Sequence, residues 1–204
     1  MTKRIGAKKK FSRKLGGSLW GQAKDPYLKR NYRPGQHGKA SKRSSDYGNQ
    51  LRAKQRMKFL YGNISERQFY NTFVEANRMK GDGSENFVAL LESRLDSVVY
   101  RANFVPTVFA ARQFVNHKHV MVNGKVVNIA SYRLKVGDVV QVRDKSRKLA
   151  SVIESMQKME RDLPSYLSLD KDNFSVKLTE KPIFAEVPYA VEIEPHLITE
   201  FYSR

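Results

Sequence analysis

The sequence predicts an α+β protein: a helical N-terminal domain preceded by an extended basic arm, then a small module of two helices packed on a short antiparallel sheet. Three observations carry this. Apolar residues recur at helical spacing from Ser45 to Val115. From His119 onward they form short runs separated by the turns Asn123-Gly124 and Val136-Gly137-Asp138. The first 44 residues show neither pattern, only cations broken by Gly16-Gly17, Pro26, Pro34-Gly35 and Gly38.

Each element has its own signal. Ser45 can cap, and Gly62 can end, a helix over SDYGNQLRAKQRMKFLYG. Ser65 with Gln68 makes a capping box, and Phe69, Phe73, Ala76 and Met79 follow at spacings of 4, 3 and 3. Gly81-Asp82-Gly83 breaks that helix. Ser84 is placed to cap the next, with Phe87, Leu90 and Leu91 at helical spacing. Leu91, Leu95, Val98, Val99 and Ala102 mark the stripe of a further helix, which would put Arg94 and Arg101 on one ridge. Thr107 caps another, carrying Val108, Ala111 and Val115.

The β-runs come next. Asn-Gly between HVMV and KVVNI signals a hairpin, because both residues tolerate the positive φ of a type I′ turn. Val136-Gly137-Asp138 precedes VVQV. A polar helix is expected from Lys145 to Met159, ended by Pro164. Two short strands, YLSLD and FSVKL, then flank Lys171-Asp172-Asn173, and Pro195 to Tyr202 reads as a terminal helix. The expected domains are the basic arm at 1–44, the helical domain at 45–92 joined by 183–204, and the module with its following helix and hairpin at 93–182.

Charge is unevenly placed along the chain. Residues 1–60 hold 18 Lys or Arg against 2 acids, whereas residues 159–204 hold 5 against 9. Like charges crowded together destabilise a compact state, and a polyanion removes that cost. Nucleic acid fits better than a membrane surface, because no strongly apolar helical face accompanies the cations. No run of about 18 apolar residues occurs, and no apolar signal region follows the basic start. The expectation is a soluble, non-secreted chain. With no cysteine there is no disulfide framework and no thiolate zinc site.

The candidate RNA-contacting residues follow from this partition. In the arm they are Lys8, Lys9, Lys10, Arg13, Arg33, Gln36, His37, Lys39, Lys42 and Arg43. The opening helix adds Tyr47, Arg52, Lys54, Arg56 and Lys58, with no acid four residues away to relieve the repulsion. The module contributes Arg94, Arg112, Lys118, His119, Asn123, Lys125 and Arg133, set on several elements able to converge on one face. Arg suits bidentate phosphate contacts and Lys acts as a point charge. His37, His117, His119 and His196 form no ligand pattern, so no metal and no cofactor is assigned.

Residues 94–140 resemble the S4 RNA-binding module. The resemblance rests on Arg94-Leu95-Asp96, Ala111-Arg112, the VNGK of Val122 to Lys125, and Val136-Gly137-Asp138. PGQHG at 34–38, SDYGNQLRAKQRMKFLYG, ERQF at 66–69 and HLITEFYS at 196–203 extend it to nearly the whole chain. Together they resemble the S4 family of small-subunit ribosomal proteins, bacterial or organellar in type. That resemblance implies a structural protein bound to 16S-type ribosomal RNA at a multi-helix junction of the 5′ domain. It further implies an early role in assembly, contacts with neighbouring ribosomal proteins such as S5, a place near the mRNA entry channel, an effect on accuracy, and residence in cytoplasm or organelle matrix. Some family members carry a four-cysteine zinc site in the arm, which this chain lacks.

Two rival readings remain at this level. Arg94-Leu95-Asp96 superficially resembles the tripeptide around the catalytic aspartate of pseudouridine synthases, some of which contain an S4 module, but no room is left for a catalytic domain. A free RNA-binding translational regulator is the other.

Overall fold

The computed structural model describes residues 8–40 and 45–203. In chain order the helices are α1 (Lys8–Leu15), α2 (Pro26–Lys29), α3 (Asp46–Leu60), α4 (Glu66–Arg78), α5 (Gly83–Glu92), α6 (Leu95–Arg101) and α7 (Val108–Asn116). The strands β1 (Val120–Val122), β2 (Lys125–Val126) and β3 (Val139–Val142) follow. Then come α8 (Asp144–Arg147), α9 (Ala150–Lys158), β4 (Leu167–Asp170), β5 (Ser175–Leu178) and α10 (Pro195–Tyr202). The class is α+β. The chain forms two compact units, Met1–Ser84 with Tyr189–Arg204, and Glu85–Pro188.

The first unit is built on α3 and α10, which pack together. Ser45 caps α3 by accepting from the Gly48 N–H at 3.2 Å, and Ser65 caps α4 by accepting from Gln68 N–H. Ile198 of α10 is fully buried, as are Met57 of α3 and Phe69 of α4. At one edge, Tyr202 sets its ring 4.9 Å from that of Phe73 and 5.3 Å from that of Tyr70.

Within this unit the arm departs from expectation. Residues 8–15 are helical, and their apolar side chains are in a core: Leu15 and Leu19 pack with Phe59 of α3, flanked by Phe11, Trp20, Leu60 and Val191. Phe11 stacks on Phe59 with ring centres 3.8 Å apart. An eight-residue helix this basic would not hold alone; it holds because its apolar face is covered. The chain then turns at Gly16 (φ +75°), whose N–H reaches back to the Ser12 carbonyl at 3.0 Å. The buried Ser12 hydroxyl donates to Asp25, which also caps α2. In PGQHG, Gly35 adopts φ +109°, and a Cβ on Gly38 would collide with the Arg33 carbonyl, so the turn requires both glycines.

In the second unit α6 and α7 pack as a pair, and one antiparallel sheet runs in the order β2-β1-β3-β5-β4. The two strands expected near the C-terminus thus complete the module's own sheet through Val140↔Val176 pairing of β3 with β5. Val120, Val122, Val140, Val142, Val176 and Leu178 supply its buried face. Asn123 (φ 47°) and Gly124 (φ 77°) form the hairpin turn with both φ values positive. Thr107 caps α7 by accepting from Ala110 N–H at 3.1 Å.

Three helix boundaries differ from the periodicity. The stripe from Leu91 to Ala102 is broken, because Ser93 to Leu95 pair with the segment around Arg133: Leu95 N–H donates to Tyr132 and Leu134 N–H to Ser93, each at 2.8 Å. Arg94 and Arg101 therefore share no ridge. α5 starts one residue before Ser84, whose N–H is held by the Asp82 carboxylate at 3.1 Å. The expected polar helix 145–159 is split into α8 and α9, and ends at Met159 in the left-handed conformation (φ 38°).

Candidate nucleic-acid interface

On α3 the cations have protein partners. Lys54 is 7% exposed, and its ammonium donates to Glu66 at 2.7 Å while lying 4.2 Å from the Phe201 ring centre. Lys58 donates to the other Glu66 oxygen at 2.8 Å. Arg56 donates to the Leu15 and Glu192 carbonyls at 3.0 and 2.9 Å. These three were expected to meet phosphate; in the structure their donors are taken by groups of the chain itself. They join α1, α3, α4 and the segment before α10. The repulsion is relieved by an acid at the start of the next helix, beyond the four-residue reach of a same-helix pair.

Burial works to raise the pKa of Glu66, and the hydrogen bonds from Lys54, Lys58 and Tyr202 outweigh it, holding the group at about 2. Arg52 behaves oppositely. Its pKa is lowered, first by burial and then by the charges of Arg33 and Arg56 beside it. Arg52 and Arg56 line a hollow of about 370 Å³ together with Asn49 and the carboxylates of Asp46, Glu194 and Glu200.

The arm presents its charge outward. Lys10, Arg33, Gln36, His37 and Lys39 are exposed, Lys9 is half-buried with its amine on the Lys24 carbonyl, and Tyr47 is exposed. Arg13 is partly engaged: it donates to the Tyr32 and Arg33 carbonyls and lies over the Tyr32 ring. α1 begins at Lys8, whose side chain, with Lys42 and Arg43, lies outside the described residues. Sequence reasoning passed over Lys14, Lys24, Lys29 and Arg30, all exposed. The last three line a hollow of about 400 Å³ with Arg13. Their cation density was visible; the turn that gathers them was not.

In the module two candidates have their polar atoms taken up within the chain. Arg94 is 5% exposed and makes a bidentate pair with Asp96 at 3.0 and 2.8 Å, a core ion pair. Asn123 has both ends of its amide committed, donating to Asp138 at 2.8 Å and accepting from Val139 N–H at 2.9 Å. The two motifs around Asn123 and Asp138 are therefore halves of one hydrogen-bonded corner. Arg112 approaches Asp96 at 3.4 Å with its side chain 14% exposed. His119 is half-buried, stacked on Phe114 and bonded to Ser146; burial, then His117 and Arg143, lower its pKa and favour the neutral ring. Lys118 and Lys125 are exposed and Arg133 is half-buried.

Family models match in two adjoining stretches: the ribosomal protein S4/S9 N-terminal domain over residues 3–92 and the S4 domain over residues 93–140. The small ribosomal subunit protein uS4 of Nitrobacter winogradskyi is 60% identical over 205 residues, covering the whole of both chains. Those of Afipia carboxidovorans and Brucella abortus are 58% identical over the same full span. The chain belongs to the uS4 family. As a uS4 protein it is structural and carries no enzymatic activity. Asp96, the residue on which an enzymatic reading turned, is 1% exposed and held by Arg94 and Arg112. Among the described residues of this uS4 chain, no helix is long and apolar enough to cross a membrane. No group of three or more His, Cys, Asp or Glu residues is placed there to hold a metal ion.

Proposed function

We propose that this chain is a structural constituent of the small ribosomal subunit that binds 16S-type ribosomal RNA directly, early in assembly, at a multi-helix junction of the 5′ domain. The reading is carried by full-length identity of 60% to a protein named for that subunit. It is supported by 18 Lys or Arg against 2 acids in residues 1–60. The arm at 1–44 and the helices of 45–92, joined by 183–204, supply most of the electrostatic affinity. The module at 93–182 sets register, since phosphate contacts position a protein while carrying little sequence information.

The contact set is Lys9, Lys10, Arg13, Arg33, Gln36, His37, Lys39, Tyr47 and Arg52 in the first unit, with Lys14, Lys24, Lys29 and Arg30 added. In the second it is Arg112, Lys118, His119, Lys125 and Arg133. Neighbouring ribosomal proteins, S5 among them, and mRNA near the entry channel are the further partners, and translational accuracy is the property affected. A footprint of the full chain on purified small-subunit RNA tests this. Protection clustered at one multi-helix junction is expected; scattered or absent protection overturns it.

A further inference from the structure

The basic arm and the end of the chain meet inside the first unit. Residues 189–203 hold three glutamates and no lysine or arginine, so they bring no cation to a phosphate. They nonetheless meet the arm at several points. Val191 packs against the cluster of Leu15, Leu19 and Phe59. Arg56 reaches both ways, donating to the Leu15 carbonyl at the end of α1 at 3.0 Å and to the Glu192 carbonyl at 2.9 Å. The Tyr61 and Tyr189 hydroxyls lie 2.6 Å apart. Beyond them α10 packs on α3 with Ile198 fully buried.

The closest approach is at glycine. A Cβ on the buried Gly17 would stand 2.8 Å from Val191 Cγ1, and one on Gly21 would stand 3.1 Å from the Ala190 Cβ. The backbone does not demand glycine at position 17, because its φ lies outside the left-handed region. Space alone excludes a side chain there. Val191 is β-branched and stiff at χ1, so it has little freedom to turn aside. Lys10 and Lys14 of α1 are exposed while Phe11 and Leu15 pack with Phe59 of α3. The fit of Val191 beside Gly17 therefore bears on where the cations of α1 stand.

We propose that residues 189–193 are a latch for the arm, with Val191 as its positioning residue. Seated beside Gly17, Val191 holds α1 and the turn after it in the place from which their cations meet RNA. The proposal rests on RNA as the partner of the arm. An acidic segment thus strengthens the binding of a polyanion through position and not through charge.

The test makes Gly17→Ala in the full chain, once with Val191 in place and once with Val191→Ala. One reading is acrylamide quenching of Trp20, the sole tryptophan, which packs against this cluster with its indole N–H on the Leu60 carbonyl at 3.4 Å. The other is affinity for purified small-subunit ribosomal RNA across a range of salt. With Val191 in place, Gly17→Ala should raise the quenching and weaken RNA binding about tenfold, the scale of an overpacked contact. The log–log salt slope should stay as in wild type, because the arm keeps its charges and has only to be ordered on binding. With Val191→Ala the clashing methyl is gone and the residue 191 Cβ stands 3.6 Å off, so Gly17→Ala should change neither reading. No effect of Gly17→Ala beside Val191, equal effects in both backgrounds, or raised quenching with RNA affinity intact would each overturn the proposal. Failure of the wild-type chain to bind the RNA would instead overturn the RNA reading, and the function of the latch with it, while the Trp20 readings would still show the fit.

Discussion

Glu66 receives three donors at once, from Lys54, Lys58 and the Tyr202 hydroxyl, while 46% of its side chain stays exposed. Its pKa of about 2 lies below the unfolded value of about 4.3. The stability it contributes is therefore fully present above pH 4 to 5 and is lost as pH falls towards 2. Glu66→Gln should lower stability at neutral pH by about 1 kcal/mol, solvent screening holding it to that order. It should also flatten the acid limb of a melting-temperature profile between about pH 5 and 2. A mutant whose acid limb matches wild type would show that these donors act elsewhere. Arg94 makes a sharper case. Arg94→Ala leaves Asp96 buried without its main partner and should cost about 3 kcal/mol in urea unfolding, Arg112 and the Ser97 N–H retaining part of the compensation. The salt dependence of RNA binding by the folded variant should not change, because that side chain does not face solvent.

At the scale of elements, α1 carries the most informative result. Leu15→Ala should destabilise the first unit by about 2–5 kcal/mol in the absence of RNA, measured by urea titration, because Leu15 is 4% exposed against Leu19 and Phe59. An unfolding curve indifferent to this substitution would mean that the arm is ordered by its partner alone. The sequence did not disclose this packing for a physical reason. Phe11, Leu15 and Leu19 have too few residues around them to show a period, and their partner Phe59 lies some forty positions on. Lys54 and Lys58 hid their acid in the same way, since Glu66 stands beyond the same-helix neighbours that a pattern count inspects. Local chemistry was legible. Ser45, Ser65 and Thr107 cap where expected, and Asn123-Gly124 turns the hairpin, because those preferences act within a few residues. The break at Ser93 and Arg94 was not, as it is imposed by backbone pairing with residues 130–134.

For the molecule as a whole, the charge partition has two uses. Part of the basic excess is structural: Lys54, Arg56, Lys58 and Arg94 bind acids and carbonyls of their own chain. Another part, on Lys10, Lys14, Lys24, Lys29, Arg30, Arg33 and Lys39, faces outward. Sequence alone could weigh the total but not divide it, because division depends on which acids folding brings near. The direct measurement is the affinity of the full chain for small-subunit ribosomal RNA across a range of potassium chloride concentrations. Wild type should bind far more weakly as salt rises, and changing Lys10, Lys14 and Lys39 together to Gln should reduce the log–log slope by about 0.7–0.9 for each phosphate that is no longer neutralised. A wild-type affinity insensitive to salt, or a slope untouched by that triple change, would contradict the account.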